Sequence, residues 1–423
     1  MIDLEKEKKA GRLSLLSLFI VIFLDVAGVI LVLPILTPLI LKTDSSLVPL
    51  HTSIFYRDFL YGFALALYPL FMFFSTPILG DLSDKFGRKK ILLLCAGGSA
   101  LSYVVSALGI LYGSLTTFLL GRVLGGLAAG TQPIATAAII DVSDYHSKTK
   151  NLAWVVFTTS LGLILGPTIG GVTAETQVSG WFGYETPFFL AAIVNVLNAL
   201  FLLFSYQEQP FVKRDHVLRL TKGFSLFVSA FSERRFCLLS SLYFCFVLAW
   251  SLYYQTINWF FMARFHYNTA QLGFFVTFIG VVFAVMSSIV ARFILKWFSH
   301  ETSAFAFFIF TMGIANIGAA LSHGELAQWL WAILNASSDV ICLTISLSVY
   351  SSLANHESQG WIMGVTGAIG SLTWSIGALL SGPLGYINIH APMWAAGVLC
   401  FISFTLMSLY RREVNMVPVA AAG

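Results

Sequence analysis

Twelve apolar segments, each about 20 residues or longer, dominate the sequence and leave few ways to fold it. A helix rises 1.5 Å per residue, so about 20 apolar residues cross a hydrocarbon core of about 30 Å. The segments lie at residues 14–41, 57–79, 91–112, 116–140, 151–173, 187–206, 236–262, 269–294, 303–322, 327–350, 360–383 and 391–410. We therefore predict twelve transmembrane helices.

Charge content excludes the soluble classes of protein. Only 10% of the residues are charged, whereas a soluble domain carries about a quarter. Soluble enzymes and nucleic-acid-binding proteins are therefore excluded, and a lipid bilayer is the expected surrounding. The five cysteines lie in or beside apolar segments, where we expect them to pack as small hydrophobic residues.

The cationic residues orient the predicted helices, because cytoplasmic loops collect Lys and Arg. With the N-terminus inside, 20 of the 24 cations fall on the inner side. Lys42, Arg57 and Arg264 fall outside, and Arg122 lies within a segment. This bias predicts that both termini are cytoplasmic.

A polar stretch at residues 207–235 divides the segments into six and six. We predict an N-terminal half at 1–206, this central loop, a C-terminal half at 236–410 and a cytoplasmic tail at 411–423. The fifth segment reads GxxxGPxxGG, and its counterpart six segments later is partly similar. The residues of the two patterns are Gly162, Gly166, Pro167, Gly170 and Gly171, and then Gly377, Gly382, Pro383 and Gly385. The expected fold is an all-α integral membrane protein with two six-helix halves.

The inner loop between the second and third segments combines acids, bases and glycines in the sequence GDLSDKFGRKK. Asp81 and Asp84 are able to pair with the bases that follow, or with helix ends. Gly80 and Gly87 allow close backbone approach or a turn with positive φ. A topology signal and a functional loop are equally compatible with this composition.

Three charged residues lie deep inside apolar segments: Asp25, Arg122 and Asp339. A charge in hydrocarbon costs several kcal/mol, so such residues usually face a wet cavity and serve binding, coupling or pairing. Asp25 and Arg122 lie at similar depths, and we expect them to pair or to compete for one proton and substrate. Asp339 follows the polar run NASS. A coupling role and structural pairing both remain open for these residues.

One face of the seventh segment is aromatic and polar. Trp250, Tyr254 and Asn258 recur every four residues and therefore share a helix face. With Gln132 and Trp374 they are candidates to line a cavity for an aromatic or amphipathic solute. Packing and anchoring at the membrane boundary is the alternative interpretation.

Four of these motifs resemble the major facilitator superfamily. The inner loop resembles its signature loop at Gly80, Leu82, Asp84, Lys85, Gly87, Arg88 and Lys89. The segments around Asp25 and Arg122 resemble motifs of its drug:proton antiporters. GLILGPTIGG resembles the fifth-helix motif of antiporters that include the tetracycline exporters. The resemblance implies two halves that rock about a central cavity, an inner-loop latch, and fifth-helix glycines that seal the pathway.

The chain departs from the family pattern in two loops. After Asp141 it carries Lys148 and Lys150, where the family often has Arg, so any ion pair there should be looser. The loop with Arg292 and Lys296 lacks the Gly and Asp of the first-half loop. We therefore predict a latch in the N-terminal half only.

The predicted function is secondary active transport by alternating access, with proton-coupled antiport that exports small amphipathic compounds or drugs. The expected partners are a small-molecule substrate and protons, and the protein is expected to be a monomer in a bacterial inner membrane. Import or export of a specific metabolite or siderophore is the alternative within the same fold.

Two other classes are less compatible with the sequence. An intramembrane aspartyl enzyme would use Asp25 and Asp339, but the GxGD motif is missing. A passive channel would need neither a latch nor packing motifs. The sequence contains no GxxxxGK[ST] phosphate loop and no HExxH metal motif, so we expect no catalytic residue, no metal and no cofactor.

Overall fold

The computed structural model describes residues 2–43, 45, 47–143, 147–208, 221–232, 234–287, 295–298, 300–353 and 359–416. Residues 209–220 of the predicted central loop, Arg292 of the second-half loop and residues 417–423 of the tail lie outside this set. The helices are α1 Ile2–Ile30, α2 Val32–Leu41, α3 Ile54–Phe86, α4 Arg88–Leu111, α5 Leu115–Ala128, α6 Thr131–Asp141, α7 Lys148–Thr173, α8 Thr186–Ser205, α9 Lys222–Ser229, α10 Arg234–Phe265, α11 Thr269–Val285, α12 Glu301–Leu321, α13 Glu325–Ser352, α14 Gln359–Ile387 and α15 Ala391–Met416.

These helices coincide with the predicted membrane segments. Within the described residues, eleven helical stretches are long and apolar enough to cross a bilayer, counting α1 with α2 and α5 with α6 as single crossings. The eighth predicted segment begins with α11, which is described over 17 residues, and the end of that segment lies outside the described residues. The predicted all-α multi-pass membrane fold is confirmed.

Two crossings contain a helix break, at Leu31 and at Ala129–Gly130. Proline explains both, since it has no N–H to donate to the carbonyl four residues earlier. Pro34 removes the donor for Ile30, and Pro133 removes the donor for Ala129. The Thr76 hydroxyl of α3 donates instead to the Ala129 carbonyl at 2.6 Å.

The chain forms two compact units: Met1–Gly223 with Phe261–Val281, and Phe224–Phe260 with Val282–Gly423. In the first unit α4 packs against α5 and α8, and α1 packs against α7. In the second unit α12 packs against α13 and α15. The compact units are defined by contacts between residues, whereas the two predicted halves were defined by an internal duplication of the sequence. The two divisions are therefore not the same, and the boundaries of the predicted halves remain a prediction.

Glycines of the eleventh crossing allow close packing in the second unit. A Cβ atom at Gly377 would lie 2.3 Å from Ser251 Oγ, and one at Gly385 would lie 1.8 Å from the Trp259 ring. The glycines of the eleventh crossing therefore face the seventh. The corresponding glycines of the fifth crossing face the first, as described below.

Arg57 holds together the turn that joins α2 to α3. Its guanidinium donates to four backbone carbonyls within 3.2 Å, those of Ile40, Lys42, Val48 and Pro49. The side chain is buried, and the neighbouring Asp58 carboxyl is buried as well. Both charges lie at the start of α3, next to the turn, so their burial within the protein was not predicted from the sequence.

Candidate functional site

Asp25 lies on α1 opposite the break that separates α5 from α6. The carboxyl is beside the Thr131 hydroxyl of α6, and it interacts electrostatically with Cys95 of α4. Thr131 and Cys95 are both buried. Interrupted membrane helices are a common way to place polar groups at a binding site within the bilayer. The break thus gives the Asp25 carboxyl a hydroxyl neighbour within the membrane-spanning part of the chain.

Arg122 lies on α5 and is buried, with 6% of its surface exposed. Its guanidinium carbon lies 5.1 Å from the centre of the Tyr68 ring, and its Nε has no hydrogen-bond acceptor. The first and fourth crossings are neighbours, as expected, because α1 packs against α6. In the described part of the chain, however, Asp25 and Arg122 form no ion pair within 4.0 Å.

The structure thus shows no direct pair between these charges, and their competition for one proton and substrate stays a prediction. Tyr68 of α3 and Tyr103 of α4 each interact electrostatically with both Asp25 and Arg122. Neither tyrosine was predicted from the sequence, since single tyrosines are common in apolar segments. They could have been found by asking which predicted helices carry a hydroxyl group at the same membrane depth as Asp25.

Small residues around Arg122 bring α5 close to α3 and α4. A Cβ atom at Gly121 would lie 2.1 Å from Ser106 Oγ, and one at Gly126 would lie 2.5 Å from the Tyr68 carbonyl oxygen. Helices approach this closely only where side chains are absent. Gly121 and Gly126 therefore allow the helix that carries Arg122 to pack closely against its neighbours.

Asp339 lies in the second unit, buried on α13. Its polar neighbours in the run NASS bond to α12: Asn335 exchanges amide hydrogen bonds with Asn316, and Ser338 Oγ lies 2.9 Å from Thr311 Oγ1. Asp339 interacts electrostatically with Tyr243, Cys342 and Cys400. Asp339 itself forms no ion pair within the described ranges. The polar run NASS therefore joins α13 to α12 by hydrogen bonds that do not involve the Asp339 carboxyl.

The predicted aromatic face of α10 is present in the second unit. Trp250 stacks on Tyr254 with ring centres 5.3 Å apart, and Trp374 of α14 meets the Tyr254 ring edge-on at 5.7 Å. Gln255 Nε2 donates to the Trp374 carbonyl oxygen at 3.1 Å. Asn258 is completely buried, yet neither atom of its amide has a hydrogen-bond partner.

Gln132, the remaining candidate for the cavity, belongs to the first unit. Its Nε2 atom lies 3.5 Å from Thr159 Oγ1 of α7, at the limit of a hydrogen bond. It is half-buried on α6, one residue after Thr131. Thr131 is the residue whose hydroxyl lies beside the Asp25 carboxyl.

The predicted latch forms a network of charges at the junction of α3 and α4. Arg88 pairs with Asp141 through Nε, and its Nη1 lies 3.4 Å from Asp84 Oδ1. Lys89 Nζ donates to the Tyr206 carbonyl oxygen at 2.7 Å, and Lys85 Nζ lies 5.9 Å from the centre of the Phe86 ring. Asp141 therefore binds Arg88, while Lys148 and Lys150 are exposed.

Glu208 completes this network and was missed by the sequence analysis. Its Oε1 accepts from the Lys89 amide at 3.2 Å, where a negative charge is favoured because it meets the positive end of α4. Gly87 joins α3 to α4 with φ of 98°, and a Cβ atom there would lie 2.7 Å from Glu208 Oε1. Burial first, and then the carboxylates of Glu208 and Asp141, raise the pKa of Tyr206.

The latch also contacts the central loop. Lys222 Nζ, at the start of α9, lies 2.5 Å from Asp81 Oδ1. Gly80 has open space around it, with no atom within 4 Å of a Cβ position. Of the two glycines in the loop, only Gly87 is thus required by local geometry.

One row of the fifth-helix motif packs against α1. Cβ atoms at Gly162, Gly166 and Gly170 would lie 2.9 Å from Val26 Cβ, 2.6 Å from the Ala27 carbonyl oxygen and 2.4 Å from the Leu31 carbonyl oxygen. Residue numbers rise together along both helices, so α7 runs parallel to α1. These glycines allow two backbones to touch where a membrane helix would ordinarily need a side chain between them.

An adjacent row packs against α11 in the opposite direction. A Cβ atom at Gly171 would lie 2.6 Å from the Thr269 carbonyl oxygen, and one at Gly273 would lie 2.5 Å from the Pro167 carbonyl oxygen. Thr277 Oγ1 donates to the Ile164 carbonyl oxygen at 2.7 Å and lies 2.6 Å from Thr168 Oγ1. The motif therefore joins α7 to two helices at once.

Comparison with known proteins places this architecture in a family. The model of the Major Facilitator Superfamily matches residues 18–378. The chain belongs to that superfamily. Residue 18 lies in the first crossing and residue 378 in the eleventh, so the superfamily match covers almost all of the membrane-spanning part.

Several relatives of the chain are resistance proteins. The chain is 28% identical to the tetracycline resistance protein, class B, of Escherichia coli, over 89% of this chain and 88% of that protein. It is 23% identical to multidrug resistance protein 2 of Bacillus subtilis (strain 168), over 97% of each. The predicted resemblance to the tetracycline-exporter-like branch is confirmed.

A solved superfamily structure shares the fold. The human organic anion transporter MFSD10 (TETRAN) superposes with a TM-score of 0.71 at 21% identity, over 94% of this chain and 99% of that one. At this identity the likeness concerns the fold. It agrees with a twelve-helix superfamily transporter.

Proposed function

We propose that the protein is a proton-coupled antiporter that exports small amphipathic compounds by alternating access. The observation that carries this proposal is Asp25, a carboxyl placed among tyrosines at a helix break of a superfamily transporter. The tetracycline and multidrug resistance proteins among its relatives support export of drug-like solutes.

Asp25 is suited to carry the proton because its environment changes the cost of ionisation. A carboxylate within hydrocarbon is expensive unless water or a partner compensates it. In a state where Asp25 is shielded from water the protonated form is favoured, and in a state where water reaches it the proton is released. Alternate exposure to the two sides of the membrane would then couple proton movement to transport.

The second unit supplies groups suited to an amphipathic solute. The rings of Trp250, Tyr254 and Trp374 provide faces and edges for a planar aromatic compound. The unpaired amide of Asn258 is costly to bury and would recover its hydrogen bonds on a polar substituent of the solute. Asp339 adds a carboxyl for a second proton or a cationic group.

Further proposals concern the setting. We expect a bacterial inner membrane, both termini on the cytoplasmic side, a monomer, and transport without an enzymatic reaction. The latch of Arg88, Asp84 and Asp141 would hold one state closed at the inner face. The two glycine rows of α7 would seal the transport pathway by close helix packing.

The test uses proteoliposomes with a dye that reports lumenal pH. A pH step is imposed, and a panel of tetracyclines, lipophilic cations, organic anions and siderophore-like acids is added one at a time. We expect amphipathic compounds to drive proton movement in the wild type, and Asp25→Asn to abolish it. Glu325→Gln, an exposed carboxyl outside the site, is the matched control and should behave as wild type.

The panel separates the proposal from its alternatives. Solute movement without proton movement would exclude antiport. A response only to siderophore-like acids would favour a specific metabolite transporter. If Asp25→Asn retained full coupling, the proton would be carried by another group, and Asp339→Asn would be the next variant.

A further inference from the structure

Two histidines meet at one end of the second unit. His323 lies in the turn between α12 and α13, and His390 lies in the turn between α14 and α15. The packing of α12 against α15 brings the two turns together, and the centres of the imidazole rings are 6.2 Å apart. The proposed function uses neither residue. Because imidazole is a common ligand of metal ions, the pair is a candidate metal site.

Two side chains of α13 hold the turn that carries His323. Gln328 Nε2 donates to the carbonyl oxygens of Ala319 and Ser322, at 2.8 and 2.9 Å. Trp331 Nε1 donates to Ser322 Oγ at 2.9 Å. Gln328 is completely buried, whereas His323 is exposed. The backbone of the turn is therefore fixed, while the imidazole ring is accessible and able to turn either nitrogen toward its neighbour.

Backbone and ring contacts hold His390 on the other side of the pair. Its amide donates to Asn388 Oδ1 at 2.9 Å, and its carbonyl oxygen accepts from the amides of Met393 and Trp394, both at 3.1 Å. The Phe260 ring of α10 lies 5.2 Å from the imidazole, centre to centre. His390 is half-buried. A ligand side chain held in place in this way loses little conformational entropy on binding.

The separation of the two rings fits one metal ion between them. An ion midway would lie about 3 Å from each ring centre, which is half of the 6.2 Å that separates the centres. A ring nitrogen that points at the ion is nearer to it than the ring centre is, so Zn–N bonds of about 2.0–2.1 Å are within reach. A smaller angle at the metal would bring the rings closer, and the exposed His323 ring is able to make that adjustment.

The two imidazoles select the class of metal ion. Neutral nitrogen ligands suit Zn²⁺, Cu²⁺ and Ni²⁺, whereas Mg²⁺ and Ca²⁺ prefer oxygen. In the described part of the chain, no three His, Cys, Asp or Glu side chains come together as a metal site. Water would therefore supply the remaining ligands, and the ion would exchange with the solution.

We propose that His323 and His390 bind one divalent transition-metal ion, such as Zn²⁺, and that this ion joins the α12–α13 turn to the α14–α15 turn. The predicted orientation places both turns on the outer side, so the ion would come from outside the cell. The sequence predicted no metal, because the two histidines lie far apart in the chain and belong to no motif. The site is independent of the proposed antiport, and neither proposal depends on the other.

A zinc titration of the purified protein, without a polyhistidine tag, tests the site. In detergent, we expect the wild type to bind one Zn²⁺ and to unfold at a higher temperature, because a ligand that binds only the folded state stabilises it. Mg²⁺ at the same concentration should neither bind nor stabilise. His323→Ala and His390→Ala should each lose the bound ion and the whole temperature shift, since the two imidazoles share one ion.

His51→Ala is the matched control, because His51 is another exposed histidine and lies in a turn of the first unit. This variant should keep the bound ion and the temperature shift of the wild type. His323→Ala removes an exposed side chain, so it decides the test alone if His390→Ala does not fold.

Three results would overturn the proposal. The first is a wild type that binds no zinc. The second is a temperature shift that persists when both histidines are replaced. The third is a part of the zinc retained by each single variant, because two separate surface sites would then replace the shared one.

Discussion

Gly87 occupies a position that requires glycine for two reasons, the backbone conformation and the lack of space for a side chain. Its φ of 98° is rarely adopted by residues with a side chain, and the Glu208 carboxylate occupies the volume of a Cβ atom. The sequence indicated that a glycine here allowed a turn or close approach. It did not indicate Glu208, which lies more than a hundred residues away and reaches the α4 N-terminus only through the tertiary fold.

Gly87→Ala should therefore destabilise the protein at the inner loop. The positive φ alone costs on the order of 1–3 kcal/mol in a residue with a side chain, and Glu208 must also move. We expect a lower unfolding temperature in a thermal-stability assay in detergent. Gly80→Ala is the control: its Cβ meets open space inside a helix, so stability should be equal or higher. Equal unfolding temperatures for the two variants would contradict the Glu208 contact.

Other residues show where prediction from the sequence ended. Asp25, Arg122 and Asp339 were predicted because a charge inside an apolar segment is conspicuous. Tyr68 and Tyr103 were not, because their importance depends on which helices are neighbours.

At the scale of elements, α7 packs its two glycine rows against different helices. Gly166 contacts the α1 backbone, and Gly171 contacts the α11 backbone. The glycine motif was predicted from its spacing, and its role in close packing agrees with the structure. The sequence did not predict that the two rows contact different helices. Residue spacing shows which side chains share a face of a helix, but it does not show which helix packs against that face.

We expect Gly166→Ala and Gly171→Ala to reduce transport. Each new methyl group would lie 2.6 Å from a carbonyl oxygen, so the helices must separate. Overpacking of this kind typically costs about 1–3 kcal/mol. The measurement is substrate export from cells with matched protein levels.

Gly367→Ala on α14 is the control for this pair, since its Cβ meets no atom within 4 Å. A loss of export in the control equal to that in the two test variants would show that any added methyl group harms the protein. The packing role of the rows would then be contradicted.

Helix breaks were harder to predict than helices. A crossing is visible as about 20 apolar residues, but the breaks at Leu31 and Ala129 depend on one missing N–H group each. Most prolines in these helices are accommodated without a break, as Pro69 and Pro77 are within α3. At Ala129 the carbonyl oxygen that lost its donor accepts a hydrogen bond from the Thr76 hydroxyl instead. Thr76 belongs to another helix, so this bond was not visible in the sequence.

At the scale of the whole molecule, the distribution of cations predicts which loops face the cytoplasm. Trp181 lies between α7 and α8 and is 93% exposed, and Trp297 lies before α12 and is 81% exposed. The predicted orientation places Trp181 outside and Trp297 inside. Cys95, Cys342 and Cys400 are buried and should contribute little background to thiol labelling.

A membrane-impermeant maleimide should therefore label Trp181→Cys in intact cells. Trp297→Cys should be labelled only after the membrane is opened, and the unsubstituted chain provides the background. Labelling of both variants in intact cells, or the reverse pattern, would contradict the predicted orientation.

Arg57 has one more consequence, for the tolerance of the chain to mutation. Its four short hydrogen bonds end on carbonyl oxygens, which every amino acid possesses. These four contacts therefore do not depend on which side chains stand at the accepting residues, although Leu47 and Val48 of the turn are buried. Substitutions at the exposed Lys42 and Pro49 should accordingly cost little, provided that Arg57 itself is kept.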